Sequence, residues 1–180
     1  MNKTRGVSVV RSLALVGVSA ATLECVKLAL AFIPNVELVT FLIALCSYVF
    51  GWLGVATAVV FVCIEPMVWG VGSWVISYFI YWPLLAVCFC ILGRLRVRNR
   101  FVITLLAVVM TFLFGIISSL VDLGLFMGYF DNFFTRFAVY YARGIAFYAI
   151  QIACNAVVFP ILFIPTERKL SMLFSRYFKK

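Results

Sequence analysis

The chain has 180 residues, 66% of them hydrophobic and only 12% charged, with a net charge of +9 and no histidine. A soluble domain of this size is about half apolar and about a quarter charged, so the composition excludes a water-surrounded globular core and makes lipid the solvent for most of the chain. The length suits a single transmembrane helical domain over residues 1–180, without room for an attached ATPase or catalytic domain.

Six apolar runs follow one another. The first is read from about Ser12 to Ile33 and is ended by Pro34-Asn35. It is too long for a signal peptide and more spans follow, so it is read as a retained helix. The second runs from about Val36 to Phe50, where Gly51 breaks it, and the third from about Trp52 to Ile64, ending at Glu65-Pro66. After a Trp/Gly-rich stretch, the fourth runs from about Trp74 to Leu92, the fifth from Phe101 to Phe126 and the sixth from Phe137 to Ile164. None shows strand alternation, and only helices or closed barrels satisfy their backbone in hydrocarbon.

Twelve of the 15 basic residues lie in three clusters: Lys3, Arg5 and Arg11; Arg94, Arg96, Arg98 and Arg100; and Arg168, Lys169, Arg176, Lys179 and Lys180. With six spans all three fall on one face, which the positive-inside rule makes cytoplasmic. The expectation is therefore an all-α integral membrane protein with six transmembrane helices and both termini cytoplasmic. Charge placed at the ends of apolar runs signals topology, not nucleic-acid binding. Glu37, Glu65, Asp122 and Asp131 fall toward the outer ends, together with many aromatic residues that in part form an interfacial belt. The six cysteines all lie inside apolar runs and read as small buried hydrophobes, with no disulfide framework and no metal-ligand set.

Several constellations carry chemical content. On the sixth span Arg143, Phe147, Gln151 and Asn155 recur every four residues near one helical face. They suit either an interhelical hydrogen-bond ladder with Arg143 snorkelling, or the wall of a polar cavity. Around the third and fourth spans, Glu65 and Trp69 precede Trp74, Tyr78, Tyr81 and Trp82, whose spacing forms an aromatic face. That face suits ordinary packing or the stacking of a flat heterocycle or cation. Asn35 and Glu37 read as a cap and first-turn acid for the second span, with a binding role as the alternative. On the first span Gly17, Ala21 and Cys25 repeat every four residues and admit close approach of another helix, from this chain or a second protein. Glu24 and Lys27 either neutralise each other at i, i+3 or face a cavity, and Asp122 is a partner for Arg136 or Arg143. No catalytic set, cofactor motif or phosphate-binding loop is present in the sequence.

The stretch Leu30-Ala31-Phe32-Ile33-Pro34-Asn35-Val36-Glu37-Leu38-Val39-Thr40, then Val49-Phe50-Gly51, Glu65-Pro66 leading to Trp69-Gly70, and Trp82-Pro83, resembles the substrate-binding S component of energy-coupling factor (ECF) vitamin transporters. The resemblance covers nearly the whole chain. It implies a plasma-membrane subunit that captures a small vitamin-like solute at the outer face. Glu65, Trp69, Trp74, Tyr78, Trp82, Arg143, Gln151 and Asn155 would line the site. Gly17, Ala21 and Cys25 would dock on a transmembrane coupling protein served by two cytoplasmic ATPases, so this chain is expected to be no enzyme itself. The family more usually has alanine where Gly17 stands. The competing readings are a ligand-free scaffold, which requires the Arg143 stripe to be fully paired with no cavity, and a self-sufficient small transporter or channel.

Overall fold

The computed structural model describes residues 3–33, 36–129 and 132–178, and the side chains of residues 9–33, 36–129 and 132–176. Regular structure among them is entirely helical: α1 (Lys3–Leu30), α2 (Val39–Phe50), α3 (Trp52–Trp69), α4 (Trp74–Arg94), α5 (Arg100–Phe126) and α6 (Phe133–Phe178). All but α2 are long and apolar enough to cross a membrane. The six runs read from the sequence each become one helix, in the same order.

Several boundaries differ from the apolar runs. Helix α1 starts at Lys3 and α6 continues to Phe178, because hydropathy marks where apolar residues stop, not where helical hydrogen bonding stops. Helix α3 runs through Pro66 to Trp69 and ends at Gly70, whose N–H reaches the Pro66 carbonyl. A proline removes one ladder bond without ending a helix that its neighbours hold. Pro34, Asn35, Phe130 and Asp131 lie outside the described residues, and with them the reading of Asn35 as a cap. Glu37 does act at that helix start. It precedes α2, and its Oε2 accepts the Thr40 backbone N–H at 2.9 Å.

Helix α2 is the hub. It has 12 residues, eight of them buried, and packs against each of the other five helices. Gly51 turns the chain from α2 into α3 at φ 63°, a conformation that costs other residues but not glycine. Beside α2, Phe41, Tyr48, Phe89, Phe159 and Phe163 form an aromatic core with ring centroids 5.5–6.0 Å apart. Offset and edge-on arrangements of this kind add to simple burial.

One end of the bundle gathers the C-terminal end of α2, the α4–α5 link and the C-terminal part of α6. Tyr48 donates to the Val97 carbonyl at 2.9 Å, Arg98 reaches Glu167 at 3.5 Å, and Phe50 packs on Phe174. Arg94, Arg96, Arg98, Arg100, Arg168, Lys169 and Arg176 are exposed there. Asn99 caps α5 by accepting the Phe101 N–H. On α1, Val16, Ala20, Leu23 and Glu24 face inward, while Gly17, Ala21 and Cys25 face out of the bundle. A Cβ built at Gly17 meets nothing within 4 Å. The small-residue row therefore does not serve packing within the chain. Only Cys90 is a buried cysteine, and Cys25 and Cys63 are exposed, because a lipid-facing surface accepts a thiol as a core does.

Candidate ligand-binding cavity

At the end opposite the basic cluster, residues from all six helices and the α1–α2 link surround a cavity of about 260 Å³. Aromatic rings form much of its wall: Phe61 and Trp69 from α3, Tyr78, Tyr81 and Trp82 from α4, Phe114 from α5 and Phe147 from α6. Its polar groups are Lys27 from α1, Glu37 from the link, Thr40 from α2 and Gln151 from α6. An apolar pocket with a few convergent polar groups is the general form of a small-molecule site, and this one is at the small end of the range.

The local sequence explains these positions. Trp74, Tyr78 and Trp82 stand one turn apart on α4, so their rings meet edge-on at 5.0 and 5.6 Å. Tyr81 adds a contact to Trp82 at 4.7 Å and to Phe114 at 4.9 Å. The Trp82 indole N–H has no acceptor among the described residues although Trp82 is buried. A buried indole normally finds a partner.

Lys27 is the charged centre of the wall. Its ammonium is paired with the fully buried Glu65. It also lies 5.1 Å from the Trp69 ring centroid and 5.2 Å from that of Tyr78, an arrangement that favours a cation electrostatically. Glu24 interacts with both members of the pair, yet neither of its carboxyl oxygens has a hydrogen-bond donor among the described residues. Of the two roles open to Lys27 in the sequence, it takes the cavity-facing one, with Glu65 in place of Glu24 as its hydrogen-bonded partner. Glu37 is held from the other side, its Oε1 accepting the Thr40 hydroxyl at 2.6 Å.

Of the residues singled out in the sequence, Trp69, Tyr78, Trp82 and Gln151 line the cavity. Glu65 stands behind the wall as the partner of Lys27, and Trp74 backs Tyr78. Asn155 is buried and donates to the Thr111 hydroxyl at 2.9 Å. Arg143 is exposed over Tyr140 and lines a separate, more open hollow of about 510 Å³ with Asp122 and Tyr148. Asp122 forms no ion pair there with Arg143 or with Arg136, which instead donates to the Met127 carbonyl. Each four-residue step on a helix turns about 40° and rises about 6 Å, and the single step from Phe147 to Arg143 passes from one hollow into the other. Lys27, Glu37, Thr40, Tyr81 and Phe114 also line the cavity and were not among the site residues chosen from the sequence. The one signal for Lys27 was its depth in an apolar span.

No protein-family model, curated protein or solved structure matches the chain.

Proposed function

We propose that this chain is the substrate-binding membrane subunit of an ECF-type importer. In this reading it has six spans, with α2 as a short central one, both termini in the cytoplasm, and the plasma membrane as its location. The observation that carries the reading is the aromatic cavity at the end away from the basic clusters. By the positive-inside rule that end faces outward, where a small water-soluble vitamin or precursor is captured. The orphaned Trp82 N–H is further support, because a bound ligand atom supplies the acceptor it lacks.

Delivery inward is assigned to partners: a transmembrane coupling protein and two cytoplasmic ATPases. The outward row Gly17, Ala21 and Cys25 supports docking on α1, since small residues let a second helix approach closely in lipid. The test is to purify the protein in detergent, extract it with denaturing solvent and analyse the extract by mass spectrometry. A stoichiometric vitamin-like solute is expected. An empty protein that also binds no vitamin offered to it would favour a ligand-free scaffold. Gly17→Leu with Ala21→Leu is expected to abolish uptake in cells while leaving binding intact, and retained uptake refutes the docking face.

A further inference from the structure

The cavity's charges bear on what it accepts. Its walls hold two groups that ordinarily attract an anion, the Lys27 ammonium and the N-terminus of α2. Both already hold a carboxylate of the chain itself. Lys27 is paired with Glu65, and the start of α2 is bonded by Glu37 through the Thr40 N–H and hydroxyl. An anionic ligand must share Lys27 with Glu65, which has no solvent exposure and would be a bare charge in an apolar interior if the ammonium left it. Glu24 stands against the same pair. Among the described residues Glu37 is the one carboxyl that lines the cavity, and no cation is paired with it.

The remaining wall points the same way. Tyr81, Trp82, Phe114 and Phe147 present rings whose faces are electronegative. A carboxylate has further lone pairs beyond those Thr40 engages, so Glu37 can take a charge-assisted hydrogen bond from a ligand. The Trp82 indole N–H is a neutral donor and suits an unprotonated ring nitrogen or a carbonyl of the same ligand.

We infer that the cavity selects a compact, nitrogen-rich organic cation and discriminates against carboxylates, with Glu37 as the residue that sets this preference. The inference rests on the reading of the cavity as a solute site. Three probes of one shape and different charge test it: benzamidine, benzamide and benzoate, titrated at neutral pH into the full-length protein in detergent. Trp69 and Trp82 in the wall report binding through their fluorescence. Benzamidine is expected to bind saturably, with benzoate about tenfold weaker or worse. Glu37→Gln is expected to weaken benzamidine about tenfold and to leave benzamide unchanged. The wild-type order of the three probes holds independently of how well that variant folds. Benzoate binding as tightly as benzamidine overturns the inference, as does an unaltered benzamidine affinity in a folded Glu37→Gln protein, or no response to any probe. A carboxylate ligand recovered by extraction overturns it too, and leaves the transport reading standing. An empty extract with no binding of any vitamin or probe overturns both.

Discussion

The bundle has an ion pair at each end, and the two differ in kind. Lys27–Glu65 joins α1 to α3 behind the cavity, with Glu65 wholly buried and a second carboxyl, Glu24, against it. Arg98–Glu167 joins the α4–α5 link to α6 at 3.5 Å; Glu167 is buried and also accepts the Ser171 hydroxyl, while the Arg98 side chain is 64% exposed. A buried pair does little net work until one partner is removed, and then the other becomes a stranded charge. A cation that lies largely in solvent is partly screened, and without it Glu167 still keeps the Ser171 hydroxyl. The basic end is held instead by close packing: Gly93 lies against the Tyr48 carbonyl, and Phe50 against Phe174.

That contrast predicts an order of effects on unfolding, followed by denaturant or heat in detergent. Glu24→Gln with Glu65→Gln strips Lys27 of both carboxylates and is expected to cost about 3–5 kcal/mol. Glu65→Gln alone falls below that, because Glu24 remains beside the ammonium. Adding Lys27→Met to the double variant should recover most of the loss, and failure to recover would mean that the charges themselves stabilise the fold. Gly93→Val forces a side chain against the α2 backbone and is expected to cost about 1–3 kcal/mol. Arg98→Ala leaves Glu167 with the Ser171 hydroxyl alone and should cost about 1–2 kcal/mol. A loss as large as that of the Glu24/Glu65 variant would erase the distinction between the two ends. Arg143→Ala, in the separate hollow, should change neither stability nor ligand affinity in the cavity beyond about twofold.

The order of the six helices was legible because a lipid-facing chain must write each span as an apolar run. Gly51 marked one break as the structure has it. The aromatic face of α4 was legible because i, i+4 spacing is local geometry. The Lys27–Glu65 pair was not, since 38 residues separate its members and Glu24 offered a nearer partner. Glu37 had a complete local explanation as a first-turn acid, and it does bond the start of α2. Its second position, in the cavity wall, depends on α1, α4 and α6 closing around the link. The Arg143 stripe was misleading because a shared helix face does not fix depth: Arg143, one turn beyond Phe147, already lies in the neighbouring hollow.

The length of α2 has a further consequence. Twelve residues extend about 18 Å, against a hydrocarbon thickness of about 30 Å. At one end Phe174 of α6 packs against its last residue. At the other end the helix stops at Val39, and the space beyond it is the cavity. In the role proposed above, a solute in the cavity would rest on the end of this short helix, between aromatic walls. In that role, release of such a solute would require those walls to part.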